Sequence, residues 1–213
     1  MQRGVAGETD ESSAAVSHPT DVGKPAASEQ GTRERLVAAA AAAIHAEGYA
    51  GTTLSRVARA AEVPLGNVYY WFRTKDALAE AVIQARVDEL NALMDEAGRK
   101  SRPQDRLAAL LIRFAAGSAE MARLGCPYGT LAQELEKRDD KLARRARRIF
   151  AVQREWMTRQ FQELGAPDPD ALALELLAGM QGAALLAHAL RDPKVLESRL
   201  GALVRWVRTI FSS

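Results

Sequence analysis

The most informative part of the chain is residues 52–75, TTLSRVARAAEVPLGNVYYWFRTK. Its first half places apolar side chains at offsets 0, 3, 4 and 7, which is typical of a short helix with one buried face. These side chains are Leu54, Val57, Ala58 and Ala61. Thr52 or Thr53 is placed to cap this helix, and residues 62–63 predict a tight turn. Pro64 then opens a second short helix that extends through Phe72.

Two short helices joined by a tight turn are the pattern of a helix-turn-helix, whose second helix can enter the major groove of DNA. A longer supporting helix is predicted over residues 32–47, with Gly48 placed to end it in a left-handed cap. On the second short helix, Val68 and Phe72 are four residues apart and would face the core. The segment therefore predicts a DNA-reading unit of three helices.

The outer face of the second short helix carries side chains suited to reading bases. Asn67 can pair with N6 and N7 of adenine, while Pro64 and Leu65 can pack on thymine methyl groups. Gly66 lies inside the helix, where glycine costs about 1 kcal/mol relative to alanine. The simplest reason for a glycine there is close approach of the backbone to another molecule, such as DNA.

A second set of residues is suited to holding phosphate groups, through side-chain donors or through N–H groups at helix starts. The candidates are Thr53, Ser55, Arg56, Tyr69, Tyr70, Trp71 and Lys75. Tyr69 and Trp71 also fit another interpretation, in which they pack between this unit and the rest of the chain. Residues 31–78 hold six basic and four acidic side chains, so the prediction of DNA binding depends on motif spacing rather than on charge.

Residues 33–83 resemble the N-terminal domain of the TetR family of transcriptional regulators. The resemblance is carried by GY at 48–49, TT at 52–53, VAxAA at 57–61 and VPxGxVYYxFxTK at 63–75. It implies DNA contacts by Thr53, Asn67, Tyr69, Trp71 and Lys75. It also implies that the remaining helices form a dimerising, effector-binding domain. The sequence departs from the family pattern at Ile44, where phenylalanine is common, and at Trp71, where histidine is common.

From residue 32 onward apolar residues keep a helical spacing and no convincing period-two run occurs, so the predicted fold is all-α. Beyond the three-helix unit, a helix capped by Thr74 is expected to about Ala97. Further helices are expected near 104–124, 127–137, 139–164, 169–190 and 194–211. The predicted divisions are a disordered tail (1–30), a helix-turn-helix DNA-binding domain (31–78) and a helical ligand-binding and dimerisation domain (79–213).

The segment GCPxGxLAxEL at 125–135 is similar to a subset of TetR-family members that have a Gly-Cys-Pro turn opening a helix. Helix-start N–H groups lower the pKa of a nearby thiol, so Cys126 is one candidate for a reactive sensor. The alternative interpretation is a small buried apolar side chain. No second cysteine or evident cation accompanies it.

Gln181 and His188 lie two turns apart on an otherwise apolar helix face and are placed to orient a small molecule. The other candidate pocket residues are Phe114, Met121, Cys126, Tyr128, Trp156, Met157 and Met180. The competing interpretation is that all of them are ordinary core residues.

A strip of small residues on the 169–190 helix would allow a second helix to approach closely. The strip is Ala178, Gly179, Gly182, Ala183 and Ala187, and the matching apolar row on the last helix is Leu196, Leu200, Leu203, Val204, Val207 and Ile210. Together they predict a two-fold interface of a homodimer, with packing inside one subunit as the alternative.

Residues 141–148 contain five cationic side chains, which allow two interpretations. They bind a nucleic acid or another anionic surface, or they form a solvated, salt-bridged exterior. The five cations are Lys141, Arg144, Arg145, Arg147 and Arg148. The acidic Glu136, Asp139 and Asp140 are close enough in sequence to favour the second interpretation.

Composition and motifs narrow the functional class. The 213 residues are 47% hydrophobic and 26% charged with a net charge of +2, as in soluble globular proteins. The chain has three histidines and one cysteine, and they lack metal-ligand spacing. It also has no Gly-rich phosphate loop and no GxSxG motif, so we expect no enzymatic activity, cofactor or metal. No stretch approaches the length of a membrane span, and no signal peptide is evident, so a cytoplasmic protein is expected.

The sequence therefore predicts a transcriptional regulator, in particular a repressor that binds a palindromic double-stranded DNA operator as a homodimer. An unknown small-molecule effector would release it. The alternative is a helical small-molecule-binding or adaptor protein without sequence-specific DNA binding.

Overall fold

The computed structural model describes residues 26–138 and 140–210, and within them the regular elements are all helices, as predicted. The first four are α1 (Ala26–Gly51), α2 (Leu54–Ala60), α3 (Leu65–Trp71) and α4 (Lys75–Gly98). They are followed by α5 (Pro103–Ala115), α6 (Ser118–Leu124), α7 (Pro127–Glu136), α8 (Lys141–Ala146), α9 (Arg148–Glu163), α10 (Pro169–Leu190) and α11 (Pro193–Thr209). Of the predicted disordered tail, residues 1–25 lie outside the described residues, whereas residues 26–30 form the start of α1.

Hydroxyl side chains begin two of the N-terminal helices. Thr53 Oγ1 accepts a hydrogen bond at 3.3 Å from the backbone N–H three residues on, and Thr74 Oγ1 does the same at 3.1 Å. Thr52 is buried and its hydroxyl donates to the carbonyl of Gly48 at 2.9 Å. Thr53 is therefore the cap of α2, and Thr52 ties α2 back to α1.

The boundaries of α1 and α3 differ from those predicted. Gly48 adopts φ 77° and ψ 164°, so it kinks α1, which continues to Gly51, instead of ending it in a left-handed cap. Pro64 is the N-cap of α3 rather than its first residue, and α3 ends at Trp71 with Phe72 outside. The missing N–H of proline is as harmless at this cap as inside the first turn.

Two predicted helices are each divided into two. The 104–124 segment breaks at Gly117 between α5 and α6, and the 139–164 segment breaks at Arg147 between α8 and α9. The carboxylate of Asp140 caps α8 by accepting from the N–H groups of Leu142 and Ala143 at 2.8 and 3.1 Å. Asp139 lies outside the described residues.

Helix α4 joins the N-terminal helices to the rest of the chain. It packs against α1 at one end and against α5, α8 and α9 further along. Its buried side chains recur at helical spacing and include Leu78, Val82, Val87, Leu90 and Met94. One continuous core cluster runs along α4 and joins the packing of the C-terminal helices to that of α1–α3.

Helix α10 corrects the expectation that no stretch approaches membrane length. It has 22 residues and, within the described part of the chain, is the one helix that by length and composition is apolar enough to span a membrane, with a mean hydropathy of 1.4 in an 18-residue window. It packs against α6, α9 and α11, which is also how the core helix of a folded bundle behaves.

Candidate nucleic-acid interface

The turn between α2 and α3 is held by backbone hydrogen bonds and by a buried apolar interior. Glu62 adopts a left-handed conformation with φ 55°, and the N–H of Val63 donates to the carbonyl of Ala58 at 2.9 Å. Val68 is fully buried and Phe72 is 4% exposed, which confirms that this side of α3 faces inward. The orientation of α3 is thereby set by its own apolar residues.

The opposite side of α3 is open to solvent. Tyr70 is 72% exposed, Tyr69 51% and Leu65 41%, and Asn67 and Pro64 are also exposed. Because Val68 packs into the core, the predicted base-reading residues lie together on the exposed side of α3.

Gly66 lies on the same exposed surface. A Cβ added at Gly66 would meet no atom of the chain within 4 Å. Packing within the described residues therefore places no steric demand for glycine at this position.

Trp71 is only partly exposed. Its side chain packs against the core cluster, and its ring meets that of Tyr70 edge-to-face with centroids 5.1 Å apart. The indole therefore supports the position of Tyr70 while keeping part of its surface toward solvent. The two interpretations of Trp71 from sequence, packing and phosphate contact, both remain open.

The remaining predicted phosphate-binding residues flank α3. The hydroxyls of Thr53 and Ser55 are 3.1 Å apart on the exposed start of α2, and Arg56 forms an ion pair with Glu47 on α1. Lys75 Nζ donates to the carbonyl of Ala50 at 3.2 Å. Both cations are thus held in place by neighbouring acceptors before any DNA is present.

Tyr49 organises a cluster of charges that the sequence did not reveal. Lys75 Nζ lies 4.2 Å from the centroid of the Tyr49 ring, and the Arg138 guanidinium lies 5.1 Å from it. The Tyr49 hydroxyl donates to Asp76, and Arg138 forms ion pairs with Asp76 and Asp140 at 2.7 Å. Burial, followed by the hydrogen bond to the Asp76 carboxylate, raises the pKa of Tyr49 to about 12.

Glu134 on α7 holds the corner between α1 and α2. Its two carboxylate oxygens accept from the backbone N–H groups of Tyr49 and Ala50 at 2.7 and 2.8 Å. A Cβ at Gly48 would lie 2.9 Å from Oε2 of Glu134, so glycine is needed there for both its positive φ and the close approach. We refer to the contacts of Glu134 with residues 48–50 as the Glu134 latch. The motifs that carry the family resemblance include Tyr49 and Glu134. Their contact could not be predicted, because residues about 85 positions apart leave no local signal in the sequence.

A second contact joins α1 to the start of α7. His45 Nε2 lies 2.9 Å from the carbonyl oxygen of Gly125, and its Nδ1 lies 3.8 Å from Glu120. Together with the Glu134 latch, this contact ties both ends of α7 to α1.

Cys126 is a small buried side chain, which is the alternative to a reactive sensor. It is 5% exposed, and its Sγ accepts from the N–H of Gly129 at 3.4 Å. Burial raises the pKa of the Cys126 thiol, opposing the reactive thiolate that the helix start suggested. Within the described residues no group of three or more His, Cys, Asp or Glu side chains is arranged to hold a metal ion.

The predicted ligand-binding residues do not surround one cavity. Phe114, Met121 and Tyr128 line a cavity of about 480 Å³ bounded by α1, α4, α5, α6 and α7. Gln181 lines a separate cleft of about 480 Å³ between α9 and α10. These predicted ligand-binding residues thus line two different cavities of the structure.

The other members of the predicted pocket are structural. Trp156 and Met157 are buried, Met157 completely, and belong to the core cluster. His188 Nδ1 lies 3.3 Å from the carbonyl oxygen of Ala122, and its ring lies beside Gly125. His188 thus contacts the end of α6 and the turn that precedes α7. Burial raises the pKa of Tyr128, which follows Pro127 in α7.

Part of the predicted dimer strip packs inside the subunit. The α11 residues Leu196, Leu200, Leu203 and Val207 are buried inside the chain. Leu203 lies 3.2 Å from the Cβ position of Gly179, so Gly179 lets α10 lie close to α11 of the same subunit, whereas Ala178 is exposed and a Cβ at Gly182 would meet no atom within 4 Å. The uncovered part of α10 also carries Leu174, Leu185, Leu186 and Leu190, which are between 53% and 64% exposed.

Four of the five cations in residues 141–148 form ion pairs, as in the salt-bridged exterior that was one of the two predictions. Lys141 and Arg145 pair with Glu80 on α4 at 3.6 and 3.2 Å. Arg147 pairs with Glu136, and Arg148 with Glu155 at 3.6 Å. These contacts join α8 to α4 and α7.

Comparison with known proteins yields a consistent set of relatives. Residues 36–82 match the family model "Bacterial regulatory proteins, tetR family", and residues 103–199 match "Transcriptional regulator LmrA/YxaF-like, C-terminal domain". The chain is 32% identical over 165 residues to the transcriptional regulator AcuR of Cereibacter sphaeroides, covering 71% of this chain and 74% of that protein. It is 28% identical over 180 residues to the HTH-type transcriptional repressor DhaR of Mycobacterium sp., covering 79% of this chain and 88% of DhaR.

Solved structures agree in fold. A TetR transcriptional regulator from Chloroflexus aurantiacus superposes with a TM-score of 0.76 at 29% identity, covering 86% of this chain and 97% of that one. The regulatory protein TetR from Rhodobacter sphaeroides superposes with a TM-score of 0.71 at 26% identity, covering 82% and 97%.

Proposed function

Because this chain belongs to the TetR family of transcriptional regulators and carries the family's DNA-binding domain, we propose that it is a dimeric repressor released from its operator by a small-molecule effector. The observation that carries the proposal is the exposed surface of α3, with Asn67, Tyr69 and Tyr70 turned outward by the buried Val68. Such a short helix fits the major groove. A protein that acts on chromosomal DNA in a bacterium works in the cytoplasm.

Roles for the individual residues follow from their chemistry. Asn67 reads adenine, while Leu65 and Pro64 contact thymine methyl groups and Gly66 lets the backbone approach the bases. The set that holds phosphates is Thr53, Ser55, Arg56, Tyr69, Tyr70, Trp71 and Lys75. In this proposal residues 31–78 are the DNA-binding domain, and residues 79–213 bind effector and partner.

Dimerisation through α10 supplies the two reading surfaces that a palindromic operator needs. Contiguous exposed apolar side chains usually mark an interaction surface, and α10 exposes Leu174, Leu185, Leu186 and Leu190. The same face of a second subunit, related by a two-fold axis, would cover them. The two α3 helices would then lie about 34–36 Å apart, or somewhat more, to reach successive major grooves. DhaR is named a transcriptional repressor, and its similarity to this chain favours repression here as well.

Release requires a path from the C-terminal helices to α3. The Glu134 latch and the ion pairs of Glu80 and Arg138 tie α7 and α8 to α1 and α4. An effector that shifts α7 or α4 would therefore change the separation of the two reading surfaces. A coupling free energy of about 1.4 kcal/mol is enough to weaken DNA binding tenfold.

The proposal is tested by selecting bound duplexes from random DNA with the full chain and measuring its mass on the selected site by sedimentation. The expected result is one palindromic motif bound by a dimer. Recovery of no motif, or binding as a monomer to a single half-site, would contradict it.

A further inference from the structure

Lys75, which is proposed to contact a DNA phosphate, is followed directly by an acidic residue. Asp76 lies in the first turn of α4, where the helix dipole favours a carboxylate. Lys75 Nζ nevertheless lies over the Tyr49 ring and donates to the carbonyl of Ala50, and no described carboxylate forms an ion pair with it. The positive charge of Lys75 is therefore not neutralised by any carboxylate in the described part of the chain.

Both oxygens of the Asp76 carboxylate are engaged by other groups. The Tyr49 hydroxyl donates to Oδ1, and the Arg138 guanidinium forms an ion pair with Oδ2 at 2.7 Å. A hydrogen bond between a guanidinium and a carboxylate is stronger than one between neutral groups. Asp76 is thereby kept from competing for the ammonium of Lys75.

Arg138 reaches this point from the C-terminal helices. It follows α7 and is also paired, at 2.7 Å, with Asp140, the N-cap of α8. Its Nη1 donates to the Tyr49 hydroxyl at 3.2 Å, and its guanidinium lies 5.1 Å from the centroid of the Tyr49 ring. Lys75 Nζ lies 4.2 Å from the centroid of the same ring. Arg138 therefore contacts both groups beside Lys75, which are the Tyr49 ring and the Asp76 carboxylate.

Loss of Arg138 would change the electrostatics around Lys75 in one direction. The Asp76 carboxylate would keep its negative charge without a paired cation. Because opposite charges attract and like charges repel, this carboxylate would draw the Lys75 ammonium toward itself and repel a DNA phosphate. Both effects weaken contact with the phosphate backbone, which carries no sequence information.

We propose that Arg138 is a positioning residue for DNA binding: it pairs with Asp76 and holds Tyr49, so that the Lys75 ammonium stays available to a phosphate. This inference rests on the proposed function and names one way in which the C-terminal helices act on the DNA-binding surface. A shift of α7 or α8 that withdraws Arg138 weakens binding to all sequences alike. Arg138 itself contacts no DNA.

The test measures the salt dependence of binding by the full chain and its variants to the selected operator and to an unrelated duplex. Arg138→Gln is expected to weaken binding to both duplexes about threefold or more and to lower the slope of log affinity against log salt by about one, because one phosphate contact is lost. An unchanged slope overturns the proposal.

Lys137→Gln is the matched control. It removes the neighbouring exposed cation, with which no described residue forms an ion pair. The net charge changes as in Arg138→Gln, yet the slope should stay that of the parent. An equal fall in slope in both variants would reflect net charge alone and would overturn the proposal.

Double variants separate a positioning role from a direct contact. If Arg138 acts through Lys75, adding Arg138→Gln to Lys75→Ala should cause no further loss, because both changes remove the same contact. Adding Asp76→Asn to Arg138→Gln should restore the parent slope, since the unpaired carboxylate is gone. Additive losses in the first pair, or no restoration in the second, would overturn the proposal.

Circular dichroism verifies that each variant is folded. The chain with Asp76→Asn and Arg138→Gln leaves no unpaired charge at this position, so it decides the question even if Arg138→Gln alone does not fold. The parent slope is expected for a positioning role, and a slope lower by about one would indicate direct contact by Arg138.

The proposed function and the role of Arg138 fail in different ways. If the parent binds all duplexes alike, the proposed function fails, while the slopes on the unrelated duplex still decide the role of Arg138. If the parent binds its operator and the slope of Arg138→Gln is unchanged, the positioning role fails and the proposed repressor remains. Absence of any DNA binding overturns both.

Discussion

Glu134 Oε2 lies 2.7 Å from the backbone nitrogen of Tyr49, which joins α7 of the C-terminal helices to the corner between α1 and α2. The second carboxylate oxygen accepts from Ala50, so one side chain satisfies two N–H groups at the kink in α1. Hydrogen bonds to a carboxylate are stronger than those to a neutral acceptor. The latch is thus a rigid connection between the part of the chain that reads DNA and the part proposed to sense the effector.

Removing the Glu134 latch should loosen the corner that it holds. Glu134→Ala is expected to lower the free energy of unfolding by about 1–3 kcal/mol, because two N–H groups lose a charged acceptor. Hydrogen exchange at the amides of Tyr49 and Ala50 should accelerate. Gln133→Ala, at the exposed neighbouring position, is the control and should change neither quantity. Unchanged exchange at both amides would show that the latch does not order the corner.

Asn67 is expected to determine sequence preference. Asn67→Ala should weaken operator binding by about 1–3 kcal/mol and relax discrimination at one base pair of each half-site. Titration of the selected operator and its single-base variants measures both effects. Asn91→Ala makes the same substitution on the exposed side of α4 and should bind like the parent. If Asn67→Ala binds every variant as the parent does, its assignment as a base reader is wrong.

Lys75 is expected to contribute affinity without specificity. Lys75→Ala should weaken binding to all sequences alike and reduce the salt dependence by about one phosphate contact, since each contact releases a counterion. The slope of log affinity against log salt measures this. Lys100→Ala, an exposed lysine at the far end of α4, should leave the slope unchanged. A loss confined to one sequence would instead indicate base reading by Lys75.

Tyr49 should make stability fall at high pH. Its pKa is raised to about 12 in the folded chain from an ordinary value of 10, so its contribution is complete below pH 10 and is lost as the pH rises toward 12. The difference in unfolding free energy between the parent and Tyr49→Phe should shrink across that range. Tyr70→Phe, which alters an exposed ring, is the control. A constant difference from pH 9 to 12 would argue against the partly buried Tyr49–Asp76 bond.

The exposed face of α10 is expected to hold two subunits together. Leu185→Glu places a charge in the middle of that face and should convert the dimer to a folded monomer in sedimentation, with at least a tenfold loss of operator affinity. Ile112→Glu introduces the same charge at an exposed apolar position on α5 and should remain dimeric. Dissociation of both variants, or of neither, would place the interface elsewhere.

The helix-turn-helix was predictable because its determinants are local. Thr53 and Thr74 cap helices through atoms three residues away, and the spacing of Val68 and Phe72 sets the inward side of α3. The breaks at Gly117 and Arg147 were missed, since the apolar spacing continues through both and neither residue forbids helix.

The amino-acid sequence by itself determined the all-helical fold, the reading helix and the residues that this helix turns outward, because capping and helical periodicity act over three or four residues. Tertiary structure alone decided which face of α10 stays uncovered, which cavity receives Gln181, and that Glu134 meets the corner at Tyr49. Each of these depends on how helices far apart in the chain rotate and pack against one another. An apolar stripe specifies that a helix has a buried side, but the partner that buries it is chosen by the shape of the whole bundle.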